Sequence, residues 1–208
     1  MSELELRRRP TQARSAATFD HVLATATLLL EDVGWDGFTT NLLAERAGIG
    51  VQTLYRYFPN KLSVVATLAE QLISEWDGWF ADTDRFLGDD HVDWGAGIRA
   101  YVDRLRDQPG GIALRRAMGA SHALRALDRE DNHRMATHYA RAIVEIDAEI
   151  DFDFALVTMR AMLEAVLGVL DATYEMDAEQ AELHLTACVE MQQAFLEQRF
   201  PKLRRASP

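Results

Sequence analysis

Apolar residues recur at i, i+3 and i+4 along most of the chain, while the apolar–polar alternation of a strand is almost absent. The pattern predicts an all-α protein. A first helix is expected over about 15–33, with Phe19, Val22, Leu23, Ala26, Leu29 and Leu30 as its buried stripe and Gly34 as its stop. Trp35, Asp36, Gly37 and Phe38 then read as a turn flanked by aromatics. Thr39 or Thr40 caps a second, short helix whose Leu42, Leu43 and Ala47 face inward. Gly48-Ile49-Gly50 makes a tight turn into a third helix over about 51–57, which Pro59 ends. Asn60 caps a long fourth helix over about 61–81. Beyond a polar loop at 82–92, further helices are expected at about 93–107, 109–119, 121–148, 153–175 and 177–199, with Asp151 or Asp153 and Asp177 as caps. The tail from Phe200 reads as frayed, and its basic residues Lys202, Arg204 and Arg205 as solvated.

Two short helices joined by a glycine turn and packed on a longer one describe a helix-turn-helix. Gly48 and Gly50 permit a compact turn, and Ala44 and Ala47 are small where the helices cross. Leu43, Ile49, Leu54 and Phe58 plug the core beneath. The residues left facing outward on the third helix are Val51, Gln52, Thr53, Tyr55, Arg56 and Tyr57, a face suited to the major groove. Residues 1–60 are therefore expected to form an arm and a DNA-binding domain, and 61–208 a helical regulatory and dimerisation domain.

The string TTNLLAERAGIGVQTLYRYFPNK, residues 39–61, resembles the TetR-family signature, and ATATLLLEDVGWDGFTT before it fits the same pattern. The resemblance implies a dimeric transcriptional regulator, in the first instance a repressor, that binds palindromic double-stranded DNA and answers to a small-molecule effector. A ligand-independent regulator or activator is the alternative. Within that resemblance Thr40, Thr53, Tyr55 and Lys61 sit where family members hold the phosphate backbone. Asn41, Val51, Gln52, Arg56 and Tyr57 sit where members touch bases or adjacent backbone. Gln52 replaces the family's usual glycine and is either an adenine reader or a solvated side chain. Gly50 stands where a small polar residue is usual.

Charge distribution sharpens this picture. Residues 1–61 carry seven basic and seven acidic groups, so the whole net charge of −11 falls on 62–208. A neutral head on an acidic body orients the head toward phosphate. Arg7, Arg8, Arg9 and Arg14 form an arm that either meets DNA or is a solubilising tail. No apolar run approaches the length of a membrane span, and no apolar stretch follows the first arginines as a secretory signal requires. The single cysteine, Cys188, excludes an internal disulfide and fits a reducing, cytoplasmic setting.

No nucleophile–base constellation, phosphate-binding glycine loop or G-x-S-x-G elbow is present, so an enzyme is not expected, nor is a cofactor. His133 and His138, five apart, do not share a helix face, and Asp89, Asp90, His91 and Asp93 read as a solvated loop; no metal site is expected. Aromatic and methionine side chains of the C-terminal part are candidate effector contacts: Trp76, Trp79, Tyr101, Met118, Met135 and Tyr139, with Met159 and Met162. His122, His138 and Glu164 are the polar candidates. Plain core is the competing role for each of them. Broad stripes on the last two helices suit a four-helix dimer interface, with Met162, Val166 and Leu170 on one helix. Leu185, Cys188, Val189, Gln192 and Phe195 continue it on the other.

Overall fold

The computed structural model describes residues 3–83 (backbone alone over 76–83), 92–173 and 175–203. Among the described residues there are nine α-helices, one 3-10 turn and no strand. They divide into two compact units, Met1–Glu75 with Gln108–Arg129, and Trp76–Asp107 with Glu130–Pro208.

In the first unit, α1 (Ala13–Gly37) buries the six residues that the spacing marks. The expected stop at Gly34 is a break rather than an end. Gly34 takes φ 63°, and one further helical turn follows before Phe38, whose amide returns to the Gly34 carbonyl. α2 (Thr40–Arg46) is capped by Thr39, which accepts from the Leu42 amide at 3.2 Å. α3 (Val51–Tyr55) is two residues shorter than the spacing predicts. Of the two turn glycines only Gly48, at φ 64°, uses the left-handed region. Gly50 has φ −66°, which any residue adopts. α4 (Lys61–Thr83) starts at a reciprocal cap, in which the Ser63 amide donates to Asn60 Oδ1 and the Asn60 amide to Ser63 Oγ.

α6 (Gly111–Ala120) packs on α1 through Ala113, Leu114, Ala117 and Met118. It starts after Gly110, whose φ of 68° and close approach to Thr27 both exclude a side chain. The Gly110 amide donates to Glu31, and Arg115 pairs with Asp128 at 2.5 Å. α7 (His122–Ile146) and α4 each run from one unit into the other.

The second unit contains α5 (Trp94–Asp107), most of α7, α8 (Phe152–Thr173) and α9 (Ala178–Arg199). Asp151 and Asp177 supply the caps of α8 and α9. Arg99 and Arg106 of α5 both donate to the Glu182 carboxylate of α9, at 2.8 and 3.1 Å, and Arg99 also reaches Thr186. The tail is not frayed where it is described. Phe200 and Leu203 are each 1% exposed, Phe200 stacks on Trp94, and the Val92 amide donates to the Leu203 carbonyl. Lys202 pairs with Asp147 and Glu149. The tail holds because its apolar residues cover the start of α5; Arg204 and Arg205 lie outside the described residues.

Phe200→Ala is expected to cost about 3–5 kcal/mol, the usual range for deleting a buried aromatic ring, measured by urea denaturation. Arg99, opposed by burial and assisted by Arg106, holds the Glu182 carboxyl below the usual carboxylate range. A carboxyl whose value is depressed on folding stabilises above its unfolded value and loses that contribution as pH falls through the folded one. Glu182→Gln should therefore lower Tm at neutral pH, and the gap from wild type should begin to narrow as pH falls into the ordinary carboxylate range and close only below it.

Candidate DNA-binding surface and a buried cavity

The helix-turn-helix is built on an aromatic wedge. Phe19 of α1 stacks on Phe58 at 5.0 Å and meets Tyr57 edge-on at 5.7 Å. Leu43, Ala44 and Leu54 fill the space between α2 and α3, all fully buried. His21 of α1 bonds the Ala47 carbonyl at the turn, and Arg46 of α2 pairs with Asp32 of α1. These contacts set the angle at which α3 leaves the unit.

Val51, Gln52, Arg56 and Asn41 are exposed; Thr40, Thr53, Tyr55 and Lys61 are half-buried. Tyr57 departs from the expected outward face. It is 5% exposed and belongs to the wedge, because α3 ends at Tyr55 and the chain turns before Tyr57. The Thr40 and Tyr55 hydroxyls lie 3.1 Å apart, joining the start of α2 to the end of α3. Lys61 Nζ donates to the Trp35 carbonyl at 3.2 Å and sits 3.8 Å from the centre of its ring. The turn after Gly34 thus steers the Lys61 ammonium, a role that the sequence pattern did not expose.

The arm lies along this same edge. The Arg7 amide donates to the Tyr57 carbonyl at 2.9 Å, and its guanidinium to the Tyr55 carbonyl at 3.2 Å. Asn60 donates to the Glu3 carbonyl, and Arg9 pairs with Glu70. Arg8 and Arg14 remain exposed.

The second unit holds a small, partly open apolar cavity of 40 Å³. This is room for a few waters and well below the volume of a drug-sized ligand. Four of the effector candidates come together in its wall: Tyr101, Tyr139, Met159 and Met162. Trp94, Ile98 and Leu163 join them. The Trp94 indole N–H is buried without a hydrogen-bond partner. Trp94, Ile98 and Tyr101 follow i, i+4, i+7 spacing, a signal that was present in the sequence.

The other candidates are elsewhere. Met118 is core of the first unit, and Met135 is fully buried outside the cavity wall. His138 rests edge-on against Tyr139, His122 is exposed, and Glu164 is exposed and pairs with Arg160. The side chains of Trp76 and Trp79 lie outside the described residues, as do Asp89, Asp90 and His91. Asp93 caps α5, and among the described residues no group of His, Cys, Asp and Glu is arranged to hold a metal.

The stripe assigned to dimerisation faces inward. Met162, Val166, Leu170, Leu185, Cys188 and Gln192 are all buried within the single chain, and Val189 and Phe195 are half-buried. Burial pushes the Cys188 thiol up. A second stripe faces out: Val157 on α8, 67% exposed, and Leu183 and Met191 on α9, 64% and 56% exposed. Ala187 and Ala194 extend it on α9, and Ala161 and Ala165 on α8.

Two short helices joined at the Gly48 turn and packed on α1, with the outer face of α3 exposed, make a helix-turn-helix of the kind that meets the DNA major groove. Residues 22–68 match the family of bacterial regulatory proteins, tetR family. Over this stretch, about a quarter of the chain, it is similar to the DNA-binding domain of that family. It is 45% identical over 53 residues to the class C tetracycline repressor protein of Escherichia coli, covering 26% of this chain and 24% of that one. Against the HTH-type transcriptional regulator EthR of Mycobacterium tuberculosis it is 35% identical over 89 residues, 39% of each chain. The chain thus matches between about a quarter and two fifths of the length of these curated relatives. The fold likeness is longer: a TetR-family transcriptional regulator from Pectobacterium atrosepticum superposes with a TM-score of 0.67 at 19% identity, over 94% of this chain and all of that one. Among the described residues no helix is long and apolar enough to cross a membrane.

Proposed function

We propose that this protein is a cytoplasmic transcriptional repressor that binds palindromic operator DNA as a homodimer and is controlled by a small-molecule effector. The observation that carries the DNA reading is the shared edge formed by α3, the Thr40–Tyr55 hydroxyl pair and Lys61. Hydroxyls and an ammonium on one edge grip phosphates without reading sequence. An ammonium has three donors, so Lys61 keeps one for a phosphate beyond its contacts with Trp35. Gln52, Arg56 and Asn41 stand exposed beside them, with groups able to bond base edges. Thr53 joins the phosphate grip. Tyr57 acts from below, by holding α3 in place.

Two recognition helices are needed to read two half-sites one DNA turn apart. The outward apolar stripe of α8 and α9 supports pairing with a second copy, since exposed leucine, valine and methionine in register have no other cover in the single chain. This moves the proposed interface from the inward residues to Val157, Leu183 and Met191.

The apolar cavity supports the effector reading, with Tyr101, Tyr139, Met159 and Met162 in its wall. The unmet Trp94 N–H favours an effector that offers an acceptor. Such a ligand changes DNA affinity only if it binds the two states of the dimer unequally. The cavity's 40 Å³ also favours a second reading, a ligand-independent regulator or activator, because nothing drug-sized enters without rearrangement.

The test is fluorescence anisotropy against DNA from upstream of the protein's own gene, at several salt concentrations. Tight binding should fall steeply with salt. Thr53→Ala with Tyr55→Phe should weaken it by about tenfold or more, corresponding to two lost phosphate contacts. Affinity equal to that for random DNA and unchanged in the double variant would refute the DNA reading. In sedimentation, Leu183→Glu with Met191→Glu should convert a dimer to a monomer; a dimer that survives both charges rules out this interface.

A further inference from the structure

The first unit holds an opening that the regulatory reading does not use. A cleft of 520 Å³ lies between α1, α4 and the segment leading into α6. Its volume falls within the range of small-molecule sites. The floor is apolar: Leu23, Leu30, Leu68, Leu72 and Leu114 line it, each less than a tenth exposed. Leu28 of α1, 63% exposed, stands in the same wall.

The charged residues lining the cleft are Asp20 of α1 and Glu75 of α4, both exposed to solvent. Its other polar lining residues, Thr27, Gln71 and Gln108, are neutral; no lysine, arginine or histidine takes part. The third wall is fastened on both sides. Gln108 donates to the Glu75 carboxylate at 3.0 Å, and the Gly110 amide to the Glu31 carboxylate at 2.5 Å. A side chain at Gly110 would strike Thr27, so the wall sits against α1 with no slack. The cleft is preformed, which spares a ligand the entropy of ordering it.

We propose that this cleft binds an amphipathic organic cation, its hydrocarbon or aryl body on the leucines and its ammonium group between Asp20 and Glu75. The charge arrangement selects among ligands of equal shape. An anion meets two carboxylates and gives up hydration for nothing. A neutral molecule gains only the apolar floor. A cation gains the floor and a charge-assisted bond stronger than the amide bond that Glu75 now receives from Gln108. The site is separate from the effector cavity, whose wall lies wholly in the second unit.

The experiment is a ligand-observed NMR titration of the full chain with three molecules of one skeleton: 4-phenylbutylammonium, 4-phenylbutan-1-ol and 4-phenylbutyrate. The cation should bind about tenfold more tightly than the alcohol, as two solvent-exposed carboxylates allow, and the carboxylate not at all. Asp20→Asn with Glu75→Gln should bring the cation down to the alcohol's affinity while leaving the alcohol unchanged. Ala24→Trp, at an exposed lining position, should abolish binding of both without altering the circular dichroism melt. Equal affinity for cation and alcohol, absence of binding by either, or binding that persists in Ala24→Trp would each overturn the proposal. Loss of binding in Met159→Trp, which fills the second-unit cavity, with retention in Ala24→Trp would place the ligand there instead and overturn it as well.

Discussion

A helix of five residues does not hold together in water, since nucleation costs more than so few hydrogen bonds return. α3 is such a helix, and everything that its outer face does depends on what is wedged beneath it. Leu54, Tyr57 and Phe58 are that support, and Phe19 ties them to the long α1. The surface is therefore rigid for a reason that lies outside it. The same dependence extends to Lys61, whose ammonium is aimed by Trp35, and Trp35 is placed by the left-handed break at Gly34.

The second unit solves a different problem. Its helices are longer, 14 to 25 residues, so nucleation is a smaller part of their cost and what needs fixing is their mutual register. Glu182 does this between α5 and α9 with two arginines, and Phe200 and Leu203 do it from the end of the chain by covering the start of α5. The cavity lies behind that cover, walled by Trp94, which also stacks on Phe200. An occupant that moves Trp94 has to disturb the tail as well.

Local features were legible in the sequence and long-range ones were not. The apolar stripe of α1, the Asn60 cap and the helix-turn-helix signature all depend on neighbours within a few residues. Thr39 and Thr40 are equally good caps by chemistry, and only the backbone path decides for Thr39. Helical spacing carries Tyr57 to the outward face, but α3 ends at Tyr55 and the turn that follows swings Tyr57 inward. The widest apolar face of α8 and α9, which spacing marks as a dimer stripe, is the one that packs inside the chain. Leu183, Ala187, Met191 and Ala194 carried the lighter outward signal at the same spacing. That α6 packs on α1, and so joins the unit of the helix-turn-helix, has no counterpart in any local pattern.

The docked arm has a practical corollary for anyone handling the protein. Glu3, Arg7 and Arg9 are bonded to Asn60, to the Tyr55 and Tyr57 carbonyls and to Glu70, at the junction of α3 and α4. Trimming the first ten residues strips partners from four groups: the Asn60 side chain, the Tyr55 and Tyr57 carbonyls and the Glu70 carboxylate. At the other end, a truncation that removes Phe200 and Leu203 uncovers the start of α5, so neither described end of the chain is a neutral place to cut.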